Sequence, residues 1–138
     1  MIGVMSNEEV QSLLCRRKLG RLAMSANDRP YLTPINFAYD GEFIYCCSSF
    51  GRKIATLREQ PLVCFEVEEI DDHSNWRTVI AEGLYEEITD GALRQRAVGL
   101  LADGSEPVSR ALGAEFAPNV LFRIRLSEIS GRFERRDA

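Results

Sequence analysis

The fold is decided by residues 45 to 61, which are Tyr45-Cys-Cys-Ser-Ser-Phe-Gly-Arg-Lys-Ile-Ala-Thr-Leu-Arg-Glu-Gln-Pro61. The apolar start of this stretch predicts the end of a strand, and the residues from about Lys53 to Gln60 predict a short helix that Pro61 stops. A strand that runs into a helix through polar residues can bind an anion, because the first N–H groups of a helix have no internal partner.

The polar residues of this junction suit a phosphate group. Gly51 allows a turn, and Ser48 and Ser49 offer hydroxyl groups as hydrogen-bond donors. Arg52 adds a planar fork for phosphate oxygens and Lys53 a mobile point charge, so the two cations can bind a dianion in complementary ways. The junction therefore predicts a phosphate site, and the alternative is an ordinary solvated helix start.

Composition limits the class of protein. The 138 residues suffice for a single domain, over residues 1–138, with its own core. A content of 45% hydrophobic and 28% charged residues with net charge -4 is typical of a soluble globular protein, and it argues against a nucleic-acid partner. The first residues lack the charged start and apolar run of a signal peptide, and no segment approaches the ~18 apolar residues of a membrane span. We expect a cytoplasmic protein with no nucleic-acid or membrane partner.

Metal sites and histidine-based chemistry are not expected. His73 is the single histidine, and the four cysteines lack the spacing of metal ligands. We expect these cysteines to be buried, reduced thiols, and we expect Cys46 and Cys47 to lie on opposite faces of one strand. The four are Cys15, Cys46, Cys47 and Cys64.

Periodicity predicts a mainly β fold with peripheral helices. The expected elements are a helix over 7–17 that opens with a capping box, strands over 20–26, 31–39 and 42–48, a helix over 53–60, strands over 62–68 and 77–87, a helix from Thr89 or Asp90 to about Leu101, a short helix over 105–113 and a strand over 119–127. The acidic residues of 66–72 lack calcium-loop spacing, and we predict that those after 68 lie in a solvated loop. Six short strands with hairpin links favour an antiparallel barrel.

Pro34 interrupts the expected strand over 31–39. Proline cannot donate a ladder hydrogen bond, so its position predicts a local gap or an edge in that strand. Backbone groups at such an edge are free for something other than a neighbouring strand. A flat, polar ring system is one candidate.

Several short motifs follow one another along most of the chain. They are Leu19-Gly20-Arg21-Leu22-Ala23, Pro30-Tyr31-Leu32-Thr33-Pro34-Ile35-Asn36-Phe37, Phe43-Ile44-Tyr45 with Gly51-Arg52-Lys53, Gln60-Pro61-Leu62-Val63-Cys64-Phe65, and Trp76-Arg77-Thr78-Val79 before Gly83. In this order and spacing they resemble the FMN-binding split-barrel family related to pyridoxamine 5'-phosphate oxidase, especially its small nitroimidazole-resistance-type members. The resemblance implies a six-stranded split barrel and FMN as the cofactor.

The resemblance also implies a role for each matched residue. Thr33, Ile35 and Asn36, with Pro34 between them, would lie along the edge of the isoalloxazine ring and offer backbone groups to it. Cys46 and Cys47 would flank the ring and the ribityl chain, and Arg52 and Lys53 would hold the phosphate, with Ser48 or Ser49 in place of a family serine that is Gly51 here. Trp76 and Thr78 would approach the flavin from the second subunit of a homodimer. For Trp76 the alternative is a core aromatic at the start of a strand.

The chain departs from the family pattern at two functional places. Cys47 stands where many nitroimidazole-resistance-type relatives carry a histidine, and the C-terminal residues lack the basic substrate motif of the oxidase. We therefore do not expect pyridoxamine phosphate oxidation.

We expect a flavoprotein that passes a hydride or electrons to a small organic acceptor, with no side chain assigned as catalytic. The competing interpretations are a module that stores or senses flavin or another planar cofactor without turnover, and a barrel that serves only for association.

Overall fold

The computed structural model describes residues 1–102 and 119–136 of the chain. This part forms a mainly β, antiparallel structure with three helices, as predicted. The elements are β1 (Ile2–Val4), α1 (Asn7–Arg16), β2 (Leu19–Ala26), β3 (Arg29–Tyr39), β4 (Phe43–Ser49), α2 (Arg52–Glu59), β5 (Leu62–Asp72), β6 (Asn75–Glu87), α3 (Gly91–Ala102) and β7 (Asn119–Glu134). The predicted helix over 105–113 lies outside the described residues.

The strands pair in the order β1-β7-β4-β3-β2-β5-β6, and β7 pairs with β6 as well. Strand β7 can do this because it is 16 residues long. Its first half pairs with β4 and its residues from Phe122 onward pair with β6. Among the described residues there are thus seven strands and not six, since the prediction omitted β1, whose three residues pair with Arg132, Phe133 and Glu134.

The main core is built from the inward faces of strands in which buried and exposed side chains alternate. Leu22 and Met24 of β2 and Ile35 and Phe37 of β3 are buried in one cluster with Phe65 of β5. Burying one such side chain stabilises the fold by about 1.5–3 kcal/mol. The phenyl rings of Phe37 and Phe65 meet edge to face with centroids 4.8 Å apart, so they fix the relative position of β3 and β5.

Strand β4 is covered on both faces. Ile44 and Cys46 point into the main core, whereas Tyr45 points into a second, smaller cluster with Ala97 and Leu101 of α3. Burial decreases toward the end of β4, where Cys47 and Ser48 are half-buried and Ser49 is exposed.

The predicted helix caps are present. The Ser6 hydroxyl accepts a hydrogen bond from the Glu9 N–H at 3.2 Å, and the Glu9 carboxylate accepts one from the Ser6 N–H at 3.0 Å. At α3 the Asp90 carboxylate accepts a hydrogen bond from the Leu93 N–H at 2.9 Å. Of the two alternatives, Thr89 and Asp90, the cap is therefore Asp90.

None of the helices in the described part of the chain is long and apolar enough to cross a membrane.

The acidic segment differs from its prediction. Strand β5 continues to Asp72, so the residues expected in a solvated loop are on a strand, and only His73 and Ser74 connect it to β6. The physical reason is charge pairing. The Glu69 carboxylate accepts hydrogen bonds from Arg16 at 2.7 and 2.8 Å and from Arg77 at 3.1 Å. These cations hold the pKa of Glu69 at about 2, well below its usual range.

Candidate functional site

Strands β3 and β4 separate partway along their length. Their ladder contains Phe37, Ala38 and Tyr39 of β3 and ends at the pair Phe37 and Cys46. Beyond this pair, in the described part of the chain, residues 29–36 of β3 pair only with β2, and residues 47–49 of β4 pair only with β7. We call the gap between residues 31–36 of β3 and 47–49 of β4 the split.

The unpaired edge of β3 presents backbone groups to the split. The Phe37 N–H donates to the Lys18 carbonyl at 2.9 Å, so Phe37 and the residues two apart from it bond toward β2. Alternation then directs the backbone groups of Leu32, Pro34 and Asn36 toward the split. Pro34 is tolerated because the N–H that it lacks would lie on this open side. The predicted edge in the strand is thereby confirmed.

The side chains of β3 divide between the two faces. Ile35 is buried in the core and Thr33 is half-buried on the same face, whereas Pro34 and Asn36 are exposed. The Thr33 hydroxyl donates to the Pro34 carbonyl at 3.2 Å. A ligand along this edge would therefore meet backbone groups of Leu32, Pro34 and Asn36. The backbone groups of Thr33 and Ile35, which the resemblance assigned to the ring edge, bond toward β2 instead.

The start of α2 stands at the end of β4. Gly51 is the N-cap residue, and no side chain caps the first N–H groups of the helix. The backbone of Gly51 is extended, with φ 177°, and a Cβ there would meet nothing within 4 Å. The chain bends at Gly51, as predicted, but this extended backbone is one that any residue can adopt. What Gly51 contributes is an uncapped helix start, where N–H groups remain available to an anion.

The two predicted phosphate ligands carry charge that the described residues do not neutralise. Arg52 is exposed, with its guanidinium carbon 4.5 Å from the centroid of the Tyr31 ring, and Lys53 is half-buried. Neither forms an ion pair within residues 1–102 and 119–136. Arg16, by contrast, pairs with Glu69, and Arg58 with Glu87. The hydroxyls lie beside these cations in sequence, and that of Ser48 donates to the Ser49 carbonyl at 3.2 Å.

The adjacent cysteines lie on opposite faces, as predicted, and only one is accessible. Cys46 is fully buried in the main core, whereas Cys47 is half-buried against the cluster under α3. Burial raises the pKa of both thiols, and the positive charge of Arg94 partly opposes this at Cys47. Both side chains are therefore neutral thiols, and Cys46 faces away from the split. Cys15 is exposed, so the expectation of four buried thiols is wrong.

Trp76 and Thr78 lie elsewhere in the same chain. Thr78 pairs with Arg132 of β7, ten residues beyond Phe122, which pairs with Cys46; this is about 33 Å along the strand. The Trp76 indole N–H donates to the Glu134 carboxylate at 3.0 Å, and the Thr78 hydroxyl donates to Glu66 at 2.9 Å. Trp76 is half-buried and belongs to neither core cluster, so it is not a core aromatic.

The structure places three further residues near the candidate site that the sequence did not single out. Tyr31 lies under Arg52, and its place on the same face as Thr33 was visible in the alternation of β3. Arg29 lies outside the predicted strand over 31–39 but is the first residue of β3. Arg94, whose charge acts on Cys47, lies on α3 and donates to the Ile88 carbonyl at 3.0 Å. No local pattern relates Arg94 to residue 47.

Comparison with known proteins gives the family. Residues 6–133 match the model of the pyridoxamine 5'-phosphate oxidase family. The uncharacterized protein RA0666 of Rhizobium meliloti is 32% identical, over 95% of this chain and 94% of that protein. A solved FAD-binding protein from Mesorhizobium loti is 31% identical with a TM-score of 0.83, covering 98% of this chain and 99% of its own.

The fold is shared more widely. A Bacteroides thetaiotaomicron protein with a suggested role in 5-nitroimidazole antibiotic resistance aligns with a TM-score of 0.77 at 16% identity, over 96% of this chain and 87% of its own. Together with the family match, this confirms the resemblance inferred from the motifs. The chain belongs to the pyridoxamine 5'-phosphate oxidase-like family.

Proposed function

We propose that this protein is a flavoprotein that binds FMN, or the FMN part of a larger flavin, in the split. The observation that carries the proposal is the open backbone edge of β3 next to the uncapped start of α2, where Arg52 and Lys53 have no carboxylate partner among the described residues. The edge offers a planar polar ring the N–H groups of Leu32 and Asn36 and the carbonyl groups of Leu32, Pro34 and Asn36. The helix start offers N–H groups and positive charge to a phosphate. The relative from Mesorhizobium loti is named as FAD-binding, which supports the same class of ligand.

The residues present fit such a ligand and assign separate tasks to separate elements. Leu32, Pro34 and Asn36 would hold the ring edge through their backbone, and Arg52 and Lys53 would anchor the phosphate. A bound flavin supplies hydride and electron transfer itself, so the protein needs to position the ring and exclude water. Cys47, as a neutral thiol, would pack beside the ring and not act as a nucleophile.

The six strands β2 to β7 are proposed to close as the split barrel of the family. The support is that β7 pairs with both β4 and β6, so the pairing returns to its start. The incomplete ladder between β3 and β4 is then the opening of the barrel wall.

A homodimer with flavin sites at its interface is part of the proposal. The outward faces of β2, β3 and β6 carry large apolar side chains that a second copy would cover. The fractional exposures of Leu19, Leu32, Ile80 and Leu84 are 56%, 62%, 45% and 44%. Trp76 and Thr78 are far from the split of their own chain, so they would reach a flavin only from the partner. Sedimentation at micromolar concentration tests this, and a stable monomer with full flavin affinity contradicts it.

The activity that we propose is transfer of a hydride or electrons to a small organic acceptor. Anaerobic stopped-flow reduction of the flavin complex by NADH and by NADPH tests it. Reduction on a timescale of seconds or less supports an oxidoreductase. A stable flavin complex that neither donor reduces supports the second candidate, a module that stores or senses flavin. Protein that takes up no flavin contradicts both.

A further inference from the structure

A cleft of about 270 Å³ lies between the β2–β3 hairpin and one face of α2. Arg29 and Tyr31 line it from the hairpin, and Arg52, Thr56 and Glu59 line it from the helix. These three helical residues fall on one face because they are spaced by four and three positions. Arg52 is therefore shared between this cleft and the proposed phosphate site at the start of α2.

The hairpin side of the cleft is held in place by a tight turn. Asn27 and Asp28 both have positive φ, at 55° and 61°, as a two-residue hairpin turn requires. The turn fixes the pair of Ala26 with Arg29, which is the last rung of the β2–β3 ladder. Arg29 is thus presented by a short, well-defined hairpin and not by a long loop.

The charges of the cleft fit a phosphate ester that also carries hydroxyl groups. Arg29, like Arg52, has no carboxylate partner in the described ranges 1–102 and 119–136. Glu59 is a carboxylate on the same wall, and it can accept hydrogen bonds from the hydroxyls of a ribose but would repel a bare phosphate. Two cations and one acceptor therefore match a nucleotide better than an inorganic anion.

We infer that this cleft receives the adenylate half of a flavin dinucleotide, so that the protein binds FAD more tightly than FMN. The inference rests on the proposed function, since it requires the FMN part to lie in the split with its phosphate at Arg52. From there the second phosphate of FAD continues toward Arg29, and the adenosine ribose continues toward Glu59. Thr56 offers one more hydroxyl on the same wall.

The test compares the affinities of FMN and FAD, measured by flavin fluorescence titration, for the wild-type protein and for Arg29→Gln. We expect wild type to prefer FAD, and Arg29→Gln to weaken FAD by roughly tenfold, the scale of one charge-assisted hydrogen bond, while FMN affinity stays unchanged. Arg58→Gln is the matched control, because Arg58 lies on the same helix but pairs with Glu87. This control should leave the preference for FAD intact.

The outcomes separate the inference from the proposed function. If neither flavin binds, the proposed function fails and the inference with it. If FMN binds and FAD binds no better, or if Arg29→Gln weakens both ligands equally, only the inference is overturned. Binding of free AMP to the FMN-loaded protein, dependent on Arg29 and without a preference for FAD, would also overturn it by making the cleft a separate nucleotide site.

Discussion

Replacing Lys53 with glutamine tests the assignment of the phosphate site most directly. Lys53 is half-buried at the first turn of α2 and has no ion pair among the described residues, so its charge is available to a ligand. A hydrogen bond to a charged group contributes about 1.5–3 kcal/mol, which corresponds to roughly a ten- to hundredfold change in affinity. Arg52 is exposed and screened by water, so Arg52→Gln should fall at the lower end of this range.

The assay is a fluorescence titration of both variants with FMN and with riboflavin, which lacks the phosphate. Lys53→Gln should weaken FMN by the full factor and riboflavin by less than about threefold, because only FMN has a group for the lysine to bind. Lys18→Gln makes the same substitution at the exposed lysine before β2 and should affect neither ligand. Equal losses for FMN and riboflavin in Lys53→Gln would refute the phosphate assignment.

Further predictions concern the Cys47 thiol, Trp76 at the proposed interface, two glycines, and the dependence of stability on pH. Cys47→Ser should change flavin affinity by no more than about 1 kcal/mol and should leave reduction by NADH or NADPH intact, so loss of reduction in stopped-flow would make Cys47 catalytic. Trp76→Ala should weaken flavin binding or dimerisation in sedimentation, and full retention of both would contradict the interface proposal. Gly83→Ala should lower the unfolding free energy, measured in urea, by about 2–3 kcal/mol, because its Cβ would lie 2.5 Å from the Arg125 carbonyl oxygen. Gly99→Ala in α3 should raise it by up to about 1 kcal/mol, because a Cβ there would meet nothing within 4 Å and alanine favours a helix. The pKa of Glu69 is lowered to about 2, so its contribution to stability is complete above the ordinary pKa of a glutamate and is lost as pH falls toward 2. In Glu69→Gln the urea midpoint should therefore vary less with pH across that window.

Local chemistry made the elements of the first half of the chain predictable. The capping box at Ser6 and the alternation of β3 each specify one structure from a few adjacent residues, and both are present. Strand β1 was missed because three residues are too few to show a period, and its pairing with β7 is set by a segment more than a hundred residues away. The predicted strand over 62–68 ended too early because a run of carboxylates is typical of a solvated loop. The sequence does not show that Arg16 and Arg77 neutralise Glu69.

The candidate site was predictable to the extent that its residues are contiguous in sequence. Residues 48–53 alone predict the end of a strand and a helix start with two cations. The positions of Arg29 and Arg94 could not be inferred, because each reaches the site through a packing relation between distant elements. Cys46 illustrates the converse, since it is adjacent to Cys47 in sequence yet belongs to the core.

The incomplete ladder between β3 and β4 connects the stability of this fold to its proposed chemistry. A strand edge left open normally invites aggregation, and proteins protect such edges with proline or with cover. Here Pro34 removes one donor from the open side of β3, while the other edge of the strand pairs with β2 over residues 29–36. The split can therefore stay open without loss of the core, because Ile35 and Phe37 remain buried on the inward face. A ligand that pairs with Leu32, Pro34 and Asn36 would satisfy backbone groups that no strand reaches in the described part of the chain, so its binding should protect this edge from hydrogen exchange more than any other segment of β3.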